Sequence, residues 1–263
     1  MCKLTQREES KEEVKLNKIY NMDCIEYMRT LPDKSVNMVF CDSPYGQNIR
    51  NERGKIKFDC EWANEKEFLD WCRKWLYESR RILKDDGMLM VWGVAPIINE
   101  LSHIMNNELE MKFYTQIIWH VSDGLRPTNN YFYSNHQVLL GYSKNVKDVF
   151  NGFNNHGGTY NHFTEEANSY SGTKNMGTVW KHCKVSKNHK EGTSHPTQKP
   201  LELCNRIIKS CTNENDIIYI PFAGSGSEIE SCIINNRNWI ATELNKDYID
   251  EIIMPRISKY EYK

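Results

Sequence analysis

The chain has 263 residues, enough to bury one sizeable core and too few for a second catalytic domain beside it. Its 34 Lys and Arg against 35 Asp and Glu leave a formal charge of −1, so no global basic field exists and a polyanion must be met by a local patch. Nine cysteines without a C-x-x-C pair argue against a disulfide framework or zinc ribbon and fit a reducing cytoplasm, while no apolar run nears the roughly 18 residues that span a bilayer.

Residues 1–16 are almost all polar and read as a frayed tail before a single domain over 17–263. Val36 to Phe40 is a short apolar run that predicts a buried strand, and Asp42-Ser43-Pro44-Tyr45 follows its end. Gly46 to Lys57 has few apolar residues and reads as a loop beside the site, with Arg50, Arg53, Lys55 and Lys57 placed to meet phosphate. From Glu65 to Leu83, Phe68, Leu69, Trp71, Cys72, Trp75, Leu76, Ser79 and Ile82 recur at helical spacing, and Lys84-Asp85-Asp86-Gly87 ends the helix. Met88 to Trp92 predicts a strand, Ile97 to Asn107 a helix, and Phe113 to Val121 and Val138 to Tyr142 two more strands.

Residues 145–194 lose periodicity and fill with Asn, Gly, His, Thr and Ser, which in a compact domain indicates a functional insertion. The wider stretch 120–200 leans positive, with Lys184 and Lys187 among its cations. A helix over Leu201 to Cys211 leads into an apolar run at Asp216 to Ile220, followed after Pro221 by Phe222-Ala223-Gly224-Ser225-Gly226-Ser227. A helix from Ser227 to Asn235, a strand from Trp239 to Thr242 ending at Glu243, and a helix from Asp247 to Ile257 complete the chain. Such alternation predicts a mostly parallel sheet with helices on both faces.

Two motifs thus stand just past the carboxyl ends of buried strands, where open α/β sheets place ligands. The Gly-rich loop is not a P-loop, because Ser227-Glu228 follows Gly226 where Lys and then Ser or Thr are required. It is not a dinucleotide fingerprint either, because Ile229 stands where the third glycine belongs. What remains is a loop that lets backbone approach a ligand closely, with Glu243 at the next strand end able to accept both hydroxyls of a ribose.

Asp42 to Tyr45 supplies what an exocyclic nucleobase amine needs. Its lone pair is delocalised into the ring, so a catalyst hydrogen-bonds both N–H groups; the Asp42 carboxylate and the Ser43 carbonyl are suitable acceptors. Pro44 stiffens the turn and Tyr45 offers a stacking face. The histidines His120, His136, His156, His162, His182, His189 and His195 form no i,i+4 pair on a convincing helix, so no metal is expected. Tyr131, Phe132 and Tyr133 read equally as core or as residues that stack on bases.

The chain resembles the amino-type DNA methyltransferases, which methylate adenine N6 or cytosine N4, in the permuted β-class order. Most of the chain carries the likeness: Asn21 to Met28, Leu31 to Val36, Asp42 to Tyr45, Trp75-Leu76, Arg80 to Lys84 before Gly87, His195 to Leu201, Phe222 to Ser227, Trp239 to Leu244, and Tyr248. It implies a Rossmann-like class I methyltransferase fold, circularly permuted, with a catalytic half over 17–144, a target-recognition lobe over 145–194 and a cofactor half over 195–258. The implied cofactor is S-adenosyl-L-methionine, held by Asp23 and Cys24 near the adenine, Glu243 on the ribose, the Phe222, Ala223, Gly224, Ser225, Gly226 and Ser227 loop, and Asp42. Thr197, Lys199 and Ser227 lie towards the methionine carboxylate.

The catalytic residues implied are Asp42, Ser43, Pro44 and Tyr45. Double-stranded DNA is the implied partner, its target base flipped out of the stack, with room for a homodimer or partner subunit and a restriction-modification setting. The acid at 42 favours adenine N6; cytosine N4 and a catalytically silent DNA-binding paralogue or subunit are the alternatives. Two departures stand out: Ser43-Pro44 replaces the usual pair of prolines, and Ile220 stands where the family has an acid that helps hold the methionine ammonium.

Overall fold

The computed structural model describes residues 14–45, 62, 64–121, 134–145 and 177–260. Its centre is an eight-stranded sheet: β1 (Lys18–Tyr20), β2 (Val36–Cys41), β3 (Leu83–Gly93), β4 (Lys112–Val121), β5 (His136–Ser143), β6 (Val179–His182), β7 (Ile217–Ile220) and β8 (Asn238–Thr242). The strand order is β1-β8-β7-β2-β3-β5-β4-β6. β5 runs antiparallel to both β3 and β4, and every other neighbouring pair is parallel.

Buried side chains alternate between two cores, one on each face of the sheet. Val39 and Cys41 of β2 join Tyr219 of β7 in a cluster packed under α1 (Cys24–Thr30), α2 (Glu65–Ile82) and α3 (Ile97–His103). Met38 and Phe40 join Ile218 and Ile220 on the other face, covered by α4 (Leu201–Cys211), α5 (Ser227–Ile234) and α7 (Met254–Ile257). A parallel strand covered on both faces has to be apolar throughout, which is why β2 and β7 read as continuous hydrophobic runs rather than alternating ones.

Between β2 and β7 the direction of sheet building reverses. From β2 the chain proceeds to β3 and the β5-β4-β6 side, and from β7 to β8 on the opposite side. Such a reversal opens a crevice at the strands' carboxyl ends. Both motifs open into it.

Several elements differ from expectation. Lys84 to Gly87 does end α2, but these residues already belong to β3, which begins at Leu83 and meets β2 with a register shift between Val36 and Met38. α3 continues as a wider π turn over Ile104–Glu108. The last helix is three pieces, α6 (Lys246–Tyr248), a π turn (Ile249–Ile253) and α7. β1, α1 and β6 escaped the periodicity reading because each is too short to show a period, with three, seven and four residues.

β6 lies within the stretch 145–194, read as an inserted lobe of the single domain, and it pairs with β4 as the outermost strand. The tail at 1–13, the 46–57 loop, Arg126, Tyr131 to Tyr133 and residues 146–176 lie outside the described residues. Among the described residues no helix is long and apolar enough to cross a membrane.

Candidate active site

A cluster of hydrogen-bonded polar side chains stands at the end of β2. Lys199 Nζ donates to Asp42 Oδ2 at 2.5 Å and to Tyr45 Oη at 3.1 Å. The Tyr45 hydroxyl donates to Asp42 Oδ1 at 2.9 Å and lies 3.3 Å from Gln137 Oε1, at the start of β5. The Lys199 side chain is 1% exposed and the Asp42 side chain 17%, so the pair is shielded from water. Burial alone pulls the Lys199 pKa down, but the charges of Asp42 and Tyr45 and its bonds to them outweigh this and raise it above the usual lysine value. Burial, then the charge of Asp42, raises the Tyr45 phenol too, so it stays a neutral donor. Ser43 is buried, and its Oγ has no hydrogen-bond partner among the described residues.

Lys199, placed by the resemblance towards the methionine carboxylate, therefore has its ammonium on Asp42 and Tyr45. It sits where an amine donor would sit. Thr197 lies on the same loop, its backbone N–H 3.4 Å from His195 Nδ1.

The β7–α5 loop forms a cradle. Gly224 and Gly226 have φ of +48° and +73°, the left-handed region that costs a side-chain-bearing residue roughly 1–2 kcal/mol. A Cβ at Gly224 would also lie 3.0 Å from His195 Nε2. Burial, reinforced by Lys199 and Arg256 against the opposing charge of Asp42, pushes His195 down to about 4, so its ring is neutral at pH 7. Phe222 is held edge-on to Trp75 at 5.6 Å and against Trp71 at 5.7 Å. Ala223 is buried in the core on the Met38 and Phe40 face, and the Ser225 and Ser227 hydroxyls lie 3.1 Å apart.

Glu243 ties this loop to the neighbouring strand ends. Its Oε2 accepts from Gly224 N at 2.8 Å and its Oε1 from Asn245 N at 2.9 Å. Asn21, after β1, donates to the carbonyls of Glu243 and Leu244 at 2.9 and 2.8 Å. Asp23 is the N-cap of α1, its Oδ1 accepting from Ile25 N at 2.8 Å and Glu26 N at 3.1 Å. The adjoining Cys24 is buried, and its carbonyl accepts from the Tyr219 hydroxyl at 3.2 Å.

Three supporting residues carried no role in the sequence reading. Gln198 is buried and stitches its loop together, accepting from Thr193 N and Oγ1 and donating to Glu191 O at 2.7 Å. Arg256 donates to Ser227 Oγ at 2.7 Å and Glu191 O at 2.9 Å, and Ser227 Oγ donates to Lys199 O at 2.9 Å. The third is Glu228, 3% exposed in the first turn of α5. Both Arg256 and Glu228 sit among buried apolar residues, Arg256 beside Ile253 and Ile257 and Glu228 beside Ile229 and Cys232.

Burial, then the charge of Asp42, pushes Glu228 up to about 7, with Lys199 and Arg256 opposing. A carboxyl raised in the folded state stabilises the fold fully only below its unfolded value near 4.5, and that stability is lost as pH rises through 7. Glu228→Gln is therefore expected to be the more stable protein at pH 8 by roughly 1–3 kcal/mol, with the gap closing by pH 4.5. Urea unfolding at the two pH values measures this.

A methyl donor with an amino-acid tail, a ribose and a purine fits these residues. The two positive-φ glycines leave backbone exposed to a ligand, and Glu243 and Asp23 stand at adjoining strand ends. Among the described residues no group of three His, Cys, Asp or Glu is arranged to hold a metal ion.

A mostly parallel sheet with one reversed strand and ligand segments at its switch point is the class I S-adenosylmethionine-dependent methyltransferase fold. The family model for N6/N4 DNA methylases matches residues 36–254, and the chain belongs to that family. It is 29% identical over 256 residues to Type II methyltransferase M.BglII of Bacillus subtilis, covering 89% of this chain and 67% of that one. Identity to Type II methyltransferase M.HinfI of Haemophilus influenzae is 30% over 253 residues, with the same coverage.

Among solved structures, the cytosine-N4-specific PvuII DNA methyltransferase superposes with a TM-score of 0.66 at 15% identity, covering 93% of this chain and 91% of that one. The M1.HpyAVI complex with S-adenosylmethionine does so at 0.63 and 22%, covering 91% and 98%. The chain is thus a site-specific DNA methyltransferase of the amino type, with S-adenosyl-L-methionine as its cofactor.

Proposed function

We propose that this enzyme methylates the N6 amine of adenine in a specific double-stranded DNA sequence, with the target base flipped into the crevice beside Asp42. The observation that carries this reading is the nitrogen already seated there: Lys199 Nζ lies within hydrogen-bond distance of Asp42 Oδ2 and Tyr45 Oη. A carboxylate and an aromatic hydroxyl arranged around one N–H donor form an amine site. The target amine takes that place, and Lys199 moves off towards the cofactor's carboxylate.

Asp42 accepts one N–H of the amine and the Ser43 carbonyl the other, which turns the nitrogen lone pair out of the ring plane. Tyr45 and Pro44 hold the base by stacking and by stiffening the turn. The cofactor, when bound, supplies a methyl group already activated on sulfonium. The chain's own work is position and electrostatics. Asp23, Cys24, Glu243, Thr197, Lys199 and the Phe222 to Ser227 loop hold the donor. An unstacked base is required because a paired amine cannot reach the end of β2, at a cost of a few kcal/mol.

The acid at position 42 supports adenine. Cytosine N4 is the second reading, favoured by the buried Ser43 Oγ, which has no hydrogen-bond partner among the described residues, and by likeness to a cytosine-N4-specific fold neighbour. Modification-aware sequencing of DNA from cells expressing the chain separates them, since it reads base, position and context together. N6-methyladenine at one recurrent sequence is expected; N4-methylcytosine would select the second reading.

In the same reading residues 145–194, between the catalytic half at 17–144 and the cofactor half at 195–258, select the sequence. Phosphate contacts set affinity and base-edge contacts set specificity. Replacing Lys184 and Lys187 together is expected to weaken binding to all DNA and to lower the salt slope by about two. Exchanging the segment for that of a relative is expected to move the methylated site while the methylated atom stays the same. Retention of the original site would place recognition elsewhere.

A further inference from the structure

One acid of the crevice has no part in that scheme. The alternation of β2 puts Asp42 on the face of Met38 and Phe40, and the alternation of β7 puts Ile220 on the same face. At the carboxyl ends of these adjoining strands that face therefore carries one carboxylate and one hydrocarbon. Glu228 approaches it from α5, immediately after the glycine cradle. Its neighbour Ser227 donates to the Lys199 carbonyl at 2.9 Å, so the acid is tied to the loop that bears the buried ammonium.

The groups facing Glu228 are Asp42 and Cys41 from β2, Lys199 from the loop before α4, Cys204 from α4, Arg256 from α7 and Cys232 on its own helix. Its carboxyl receives the Cys204 thiol at 3.8 Å and its own backbone N–H, and among the described residues no ammonium or guanidinium is in ion-pair contact with it. Both nearby cations are engaged with other acids: Lys199 with Asp42, and Arg256 with Glu230 at 3.5 Å. Glu230 is also paired with Lys259, so Asp42 and Glu230 have cations in contact while the buried Glu228 has none among the described residues. Burial without a cation favours its neutral form.

S-Adenosylmethionine carries a sulfonium, an ammonium and a carboxylate, one net positive charge, and brings it beside this buried, cation-free acid. We propose that Glu228 answers that charge: cofactor binding drives the proton off its buried carboxyl into solvent, and the carboxylate so formed helps to hold the cation. The bond that breaks is the carboxyl O–H, the proton goes to buffer, and nothing is oxidised or reduced. The inference rests on the cofactor lying in this crevice. Titration of Glu228 near neutrality lets the switch operate at physiological pH.

The test is calorimetry of S-adenosylmethionine binding to the purified full chain at pH 7 in two buffers of different ionisation enthalpy, which counts protons. Wild type is expected to release about half a proton more than Glu228→Gln, as follows from a group half protonated at that pH. The demethylated product, S-adenosylhomocysteine, lacks the sulfonium charge and is expected to show a smaller difference. If Glu228→Gln does not fold, wild type alone decides the matter: its release should rise to roughly 0.9 proton at pH 6. Equal proton counts for the two proteins, the same difference for donor and product, or a release that does not grow on acidification would overturn the proposal. Failure of folded wild type to bind either ligand would instead overturn the placement of the cofactor itself.

Discussion

Replacing Asp42 by alanine is expected to cut the methylation rate by roughly 10²-fold or more, the order of effect seen when one preorganised polar group is lost at a transition state. Asp42 is shielded, and its two oxygens are already committed, Oδ2 to Lys199 and Oδ1 to the Tyr45 hydroxyl. Alanine removes the amine's acceptor, frees Tyr45 from one partner and strands the Lys199 ammonium in a site with no counter-charge. The last consequence separates a chemical role from a merely structural one. Asp42→Asn keeps the shape and an acceptor oxygen but not the charge, and should recover folding and cofactor binding while kcat stays low. Single-turnover rates with cofactor saturating give the comparison. A kcat near wild type in Asp42→Ala would remove Asp42 from the chemistry.

Glu243→Ala is expected to lower S-adenosylmethionine affinity by about 10²-fold, close to 3 kcal/mol, the upper range for hydrogen bonds to a charged group. Each Glu243 oxygen holds a backbone N–H, that of Gly224 in the cradle and that of Asn245 after β8. The substitution therefore takes away the ribose partner and releases the cradle's anchor together. Glu243→Gln retains one acceptor oxygen and should lose less. Direct titration of the cofactor distinguishes these outcomes, and unchanged affinity in Glu243→Ala would place the ribose elsewhere.

Much of the site is legible in residue order because strand ends punctuate it. Val36 to Phe40 and Ile217 to Ile220 announce themselves as buried strands, and whatever follows a buried parallel strand falls at the sheet's ligand-binding edge. Asp42 and Gly224 are found in that way. What the sequence does not disclose is pairing across the crevice. Lys199 and Asp42 belong to segments joined only by the fold, and nothing in His195 to Pro200 says that the ammonium seeks the β2 carboxylate. Glu228 and Arg256 were hidden for another reason. Their helices are short, and a charged residue in such a helix shows its purpose only when the burial around it is known. β6 was missed because four residues cannot establish a period, and its pairing with β4 is a tertiary choice.

The amine site at the end of β2 is tested most directly by the nucleosides it produces. Purified wild type and Asp42→Ala are incubated with double-stranded DNA and methyl-labelled S-adenosylmethionine, and the DNA is digested and separated by mass. Wild type should place the label on an exocyclic amine, as N6-methyl-2′-deoxyadenosine, and Asp42→Ala should leave the DNA almost unlabelled. Label on a ring carbon, as 5-methylcytosine, or equal labelling by both proteins would contradict it.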